Sequence, residues 1–104
     1  NMISTIKTQS FYGLKKLELM TLVNNKIKII EINSFEGLDV LDYLDISQNL
    51  LTVIKPKDFE HLTKLQILDL KNNKLDRISL NENEEAFEKL INLQSLDLSN
   101  NFVK

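Results

Sequence analysis

Apolar residues return along this chain at a period far longer than that of a helix or a strand. Leu17, Leu41, Leu65 and Leu93 each begin a block that continues with Met20, Leu44, Leu68 or Leu96, and then with Leu22, Ile46, Leu70 or Leu98. Three residues later stands an asparagine: Asn25, Asn49, Asn73 or Asn101. With Asn1 these asparagines are spaced 24, 24, 24 and 28 residues apart. Ile3, Ile27, Leu51, Leu75 and Val103 follow them by two residues, and Ile6, Ile30, Ile54 and Ile78 by five. Each unit closes on Phe11, Phe35, Phe59 or Phe87 and then Leu14, Leu38, Leu62 or Leu90. A period in the twenties, with every slot apolar in every copy, marks a solenoid of stacked coils.

The pattern predicts the elements slot by slot. In Leu68–Asp69–Leu70 and its equivalents, inward and outward residues alternate as in a short strand. Residues 19–21, 43–45, 67–69 and 95–97 are therefore expected as neighbouring parallel strands about 4.8 Å apart, with Met20, Leu44, Leu68 and Leu96 buried. The asparagine is expected to turn inward where the strand ends. Its amide offers two donors and an acceptor, enough to bond backbone groups of its own coil and of the next. Phe and the closing Leu fill the far side, along a return segment expected to be irregular or briefly helical. One coil cannot bury its apolar face alone, so at least three must stack.

Written out, L-x-x-L-x-L-x-x-N-x-L-x-x-I-x-x-x-x-F-x-x-L resembles the leucine-rich repeat family over the whole chain. "LDYLDISQN", "LQILDLKNN" and "LQSLDLSNN" lie close to its consensus, and "LELMTLVNN" is the most divergent copy. The resemblance implies an α/β solenoid: a right-handed coil with a parallel concave β-sheet and an irregular or short-helical convex side. The chain divides into a partial repeat 1–16, repeats 17–40, 41–64 and 65–92, and a partial repeat 93–104. A Phe in the return segment with a 24-residue period is similar to the "typical" subclass of Toll-like receptors, variable lymphocyte receptors, small leucine-rich proteoglycans and insect leucine-rich immune proteins. That likeness implies an extracellular recognition module of innate immunity or the cell surface, with a protein ligand first and lipid or glycan as further options. The competing expectation is an intracellular scaffold or structural solenoid; against it, intracellular relatives more often use repeats of 22–23 residues without that Phe.

A ligand would meet the outward ladders of the concave sheet. One ladder reads Leu19, Tyr43, Ile67, Ser95, and the next Thr21, Asp45, Asp69, Asp97. Beyond them run Val23, Ser47, Lys71, Ser99 and then Asn24, Gln48, Asn72, Asn100. Three adjacent apolar residues facing solvent beside a charged row have the anatomy of a protein interface. Against this, cross-strand apolar contacts also stabilise a sheet by themselves. The candidate contact residues are Leu19, Tyr43, Ile67, Asp45, Asp69 and Lys71, and Asn1, Asn25, Asn49, Asn73 and Asn101 are the candidate structural ladder. The aspartates tempt a calcium reading, but "LDLS" and "LDIS" are ordinary spellings of this repeat and no seven-oxygen cage is evident. No metal and no cofactor is expected.

Other features add little chemistry. The four extra residues of the third full repeat fall in "SLNENEEAFEKL". There Glu82, Glu84, Glu85 and Glu88 make an acidic bulge, and Asn81 or Asn83 could cap a short helix through Phe87. A tolerated surface insertion is the expectation for it, ahead of a lateral contact loop. His61 stands alone, and Gly13 and Gly37 sit before repeat leucines as turn residues, not in a phosphate loop. Nothing in this supports catalysis.

Composition sharpens the picture at three points. An apolar content of 42%, with only two glycines and Pro56 as the sole proline, leaves no linker or low-complexity stretch in the 104 residues. A net charge of −2 gives no electrostatic case for nucleic acid, and no apolar run approaches the roughly 18 residues of a membrane span. Cysteine is absent, which says little about compartment when family members carry theirs in flanking caps. Solenoids need polar terminal caps, and none is visible. Met2, Ile3 and Ile6 are thus expected bare at one end, and Phe102 and Val103 at the other, so that the sequence reads as a segment of a longer array or as one that self-associates through its ends.

Overall fold

The computed structural model describes residues 3–55, 57–78 and 90–102. Four strands, β2 (Leu19–Thr21), β4 (Tyr43–Asp45), β6 (Ile67–Asp69) and β8 (Ser95–Asp97), pair in that order into one parallel sheet. Met20, Leu44, Leu68 and Leu96 lie in register, and so do the outward residues on either side of them. Backbone bonds carry the ladder past the strands, from Leu22 N–H to Asp45 C=O, Ile46 to Asp69 and Leu70 to Asp97. This is the parallel concave sheet of a solenoid. Its spacing follows from the 24-residue period, because each coil returns the same slot to the same place.

The core is a single stack running through the coils. Leu41, Leu44, Ile46, Leu51, Ile54, Phe59, Leu62, Leu65, Leu68 and Leu70 are all essentially inaccessible. Burial of each such side chain contributes about 1.5–3 kcal/mol, so these slots drive coiling. Phe11, Phe35 and Phe59 stack face to face along the far side, with centroids 5.8 and 5.7 Å apart. The third and fourth sheet positions differ from each other: Leu68 is buried, but Leu96 is 36% exposed. Leu96 points to the interior in register with the others, yet no described coil covers it. At the opposite end Ile3 is half exposed, whereas Ile6 is buried against the expectation of a bare side chain. Strand pairing explains the latter, since β1 (Thr5–Ile6) lies against β3 (Ile29–Ile30) and turns Ile6 onto the core. Phe102 is exposed, as expected.

A second set of strands follows Asn1, Asn25, Asn49 and Asn73, ahead of the return segment that was expected to be irregular or briefly helical. β1 pairs with β3, and β5 (Val53–Ile54) pairs with β7 (Arg77–Ile78), all parallel. The convex segments are turns closed by i to i+3 bonds, such as Ser10 N–H to Lys7 C=O and Ser34 N–H to Glu31 C=O. Among the described residues no helix forms. Gly37 holds one of these turns at φ +96, and a Cβ there would meet the Tyr12 backbone at 3.2 Å. The positive φ favours glycine, and the close approach leaves a side chain little room. The helix expected across the acidic insertion, with Asn81, Asn83, Glu82, Glu84, Glu85, Phe87 and Glu88, lies outside the described residues, as do Asn1, Met2 and Val103.

Candidate functional site

The asparagines tie each coil to the one before it. Asn49 Oδ1 accepts the N–H of Ile27 at 3.1 Å, and its Nδ2 donates to Leu22, Ile46 and Ser47 carbonyls at 2.9–3.1 Å. Asn73 repeats the set on Leu51 N–H and on Ile46, Leu70 and Lys71 carbonyls. Asn101 bonds Leu75 N–H together with Leu70, Leu98 and Ser99 carbonyls. Asn25 accepts from Ile3 N–H and donates to Leu22 and Val23. Both Asn49 and Asn73 are buried. A made hydrogen bond contributes about 1 kcal/mol, but an orphaned buried partner costs about 1–3. The apolar slots therefore drive stacking, and the asparagines enforce where the sheet stops.

The residue before each ladder asparagine has a role that the sequence pattern did not reveal. Asn24, Gln48, Asn72 and Asn100 all have φ between 57 and 60. Left-handed backbone suits Asn best among non-glycine residues, so three of four copies carry it. The N–H groups of Asn24, Gln48 and Asn72 still reach across, as from Gln48 to Lys71 C=O at 3.1 Å. A row read as part of an outward face is equally a conformational requirement for turning the chain off the sheet. The recurrence of Asn–Asn was the available sign.

On the concave face, the six candidate residues fall on three neighbouring strands and their exits. Leu19, Tyr43 and Ile67 are mutual Cα partners; Leu19 is 56% and Ile67 37% exposed, and Tyr43 is half-buried. Asp45 and Asp69 are partners in the adjoining row, continued by Asp97. Each of these carboxylates accepts, on Oδ1, the N–H two residues ahead: Ser47 at 2.9 Å, Lys71 at 3.1 Å and Ser99 at 2.9 Å. These Asx turns are the reason Asp recurs there, and D-x-S or D-x-K was the legible sign of them. Asp97 also accepts from the Ser99 hydroxyl at 2.6 Å, which, with the Ser99 N–H, lowers its pKa below the usual carboxylate value. Lys71 Nζ lies 3.7 Å from Asp69 Oδ2. The third row is less of a surface than expected: Ser47 is buried, and Val23 and Lys71 are half-buried.

Chemistry elsewhere is structural. Among the described residues no three His, Cys, Asp or Glu side chains converge as a metal site, and no helix is long and apolar enough to cross a membrane. His61 is not isolated: its Nε2 lies 2.9 Å from Asn33 Oδ1 of the previous coil and 3.8 Å from Glu60. Asp58 is buried, and desolvation raises its pKa, although the Lys55 N–H at 2.9 Å and the Lys55 ammonium at 3.5 Å oppose that shift.

An in-register parallel sheet, an inward asparagine ladder and a stacked phenylalanine spine define a solenoid repeat module. Comparison with known proteins gives the family. The leucine rich repeat family models match residues 1–51 and 16–75, and again 64–90 and 92–104, and the chain belongs to that family. No curated protein sequence matches it significantly. Among solved structures, the chain is similar to one in the crystal structure of a TLR13–ssRNA13 complex, at 38% identity and a TM-score of 0.86. The match covers 94% of this chain but 14% of that one.

Proposed function

We propose that this chain is a recognition segment of a leucine-rich repeat receptor of innate immunity or the cell surface, and that it binds a protein ligand on its concave sheet. The observation that carries the reading is the row of Leu19, Tyr43 and Ile67 in register on one face, with Leu19 and Ile67 exposed, Tyr43 half-buried between them, and none of the described elements packed over it. An isolated exposed leucine would mean nothing, but a contiguous apolar row beside charges fits an interface. The phenylalanine spine and the likeness to the TLR13 chain support placement outside the cell.

RNA, which the TLR13 structure contains, is disfavoured as a ligand here. Asp45, Asp69 and Asp97 present carboxylates where a phosphate backbone would need lysines or arginines. The test is direct binding with the parent receptor and its ligand, with melting curves as a control on folding. Tyr43→Ala should weaken binding by about 2 kcal/mol, the hot-spot range, with little loss of stability because Leu44 and not Tyr43 faces the core. Lys57→Ala on the convex side should leave binding unchanged. Full affinity in Tyr43→Ala, with a loss on altering the Glu82–Glu88 bulge, would move the site off the concave sheet.

A further inference from the structure

The two central rows of the concave sheet differ in character while sharing one register. Apolar side chains recur on β2, β4 and β6 at Leu19, Tyr43 and Ile67, and two residues further along the strands carboxylates recur on β4, β6 and β8 at Asp45, Asp69 and Asp97. Neighbouring strands lie about 4.8 Å apart, so these acids are close enough to repel one another. Their Asx turns spend one oxygen of each and fix the direction of the other. Among the described residues only Asp69 has a basic side chain within ion-pair distance, Lys71 at 3.7 Å. Three carboxylates against one ammonium leave this strip with two negative charges, as many as the net charge of the entire chain. The sheet thus holds an apolar strip and an under-neutralised acidic strip side by side.

A partner that suits only one strip leaves the other poorly matched. Nucleic acid and anionic lipid headgroups meet repulsion from the aspartates, and a neutral apolar surface strips water from them without replacing it. A polypeptide with apolar side chains flanked by cations covers the first row and neutralises the second in one pose. Building on the concave-face reading above, we propose that the partner presents a segment whose aliphatic or aromatic side chains are bordered by lysine or arginine. Apolar burial on Leu19, Tyr43 and Ile67 then sets the lifetime of the complex, and the aspartates set partner choice and association rate.

The test uses the full 104-residue chain and three labelled probes: a peptide alternating leucine and lysine, its leucine–glutamate counterpart, and a single-stranded RNA oligonucleotide. Anisotropy titrations at low and at physiological salt should show the leucine–lysine peptide binding at least about tenfold more tightly than either other probe, with affinity falling as salt rises. The triple variant Asp45→Asn, Asp69→Asn, Asp97→Asn keeps an oxygen for each Asx turn, so its melting should be unchanged. Its affinity should drop about tenfold and lose most of its salt dependence. Neutralising as many carboxylates off the sheet, with Asp39→Asn, Glu60→Gln and Asp76→Asn, should leave binding intact. Tyr43→Ala should weaken binding while leaving the salt dependence in place.

Equal binding of the leucine–glutamate peptide or the RNA, or an equal loss from the off-sheet neutralisation, would overturn the cationic partner. If Tyr43→Ala still weakened the preferred probe in that event, the concave site itself would stand. If Tyr43→Ala affected no probe, both readings would fall together.

Discussion

The two sides of each coil build parallel ladders from the same repeat, and only one of the two is continuous. On the concave side β2, β4, β6 and β8 run unbroken. On the lateral side β1 pairs with β3 and β5 with β7, but β3 and β5 are not joined. One contribution to the difference is a competition for a backbone N–H. In the second coil the N–H of Glu31 reaches back to Ile6 C=O at 2.9 Å. One period later the N–H of Lys55 bonds instead to the Asp58 carboxylate of its own turn, also at 2.9 Å. The aligned positions in the earlier coils are Ser10 and Ser34, and neither takes that N–H. Local side-chain capping offers the backbone an alternative to the ladder, and a carboxylate is a stronger acceptor than a hydroxyl. Along the concave side the ladder asparagines beyond each strand bond across coils, so they reinforce the ladder. A surface hollow lined by Lys28, Ile29, Leu50, Thr52 and Lys74 opens at the lateral break.

The contrast is most sharply tested by removing the cross-coil bonds. Asn73→Ala strands the N–H of Leu51 and the C=O of Ile46 in the core, and should cost about 3 kcal/mol by chemical denaturation. Asn49→Ala should behave alike. A cost below that of any lateral change would show that the asparagines decorate the sheet without holding it.

Asp58→Ala, which removes the competing cap, should cost about 1 kcal/mol. Asp58→Ser should cost less and free the Lys55 N–H to reach the second coil. Hydrogen exchange should then show stronger protection at Lys55; unchanged protection would rule out carboxylate competition as the cause of the break. A pH dependence accompanies this site. Because burial raises the Asp58 pKa, the folded state holds its proton more tightly than the unfolded chain. Its contribution to stability is complete below the ordinary aspartate value of about 3.9, falls as pH rises through the raised value, and is flat beyond. Asp58→Asn should remove that decline from the difference curve.

Asn100→Ala places a Cβ-bearing residue without Asn's tolerance at φ 57, and about 1 kcal/mol should be lost. Asn100→Gly should lose less. The effect should stay well below that of Asn73→Ala, separating a conformational role from a bonding one. The smallest change is expected at Ser34, whose hydroxyl is buried with no hydrogen-bond partner among the described residues. Ser34→Ala should be neutral or stabilising by up to about 1 kcal/mol in thermal melts. A clear loss would reveal a bond that the hydroxyl makes in solution.

The sequence by itself determined the coil. A strict recurrence of apolar slots admits one arrangement in which each copy buries its face on the next, and Asn at a fixed offset can serve every coil in the same way. The positions of the concave strands, their parallel order and the first two outward rows followed from that pattern. What the tertiary structure decided were contests between neighbours that a period cannot rank. Whether Lys55 joins the ladder or its own aspartate, whether Ser47 is covered, and how far Leu96 stays open depend on which coil and which side chain lie alongside. The concave rows were readable as a list of residues, and D-x-S or D-x-K hinted at the Asx turns, but which oxygen each carboxylate spends in its turn was decided by the tertiary structure. Periodicity reports what is common to the repeats, and hydrogen bonds between particular neighbours settle how each repeat departs from it.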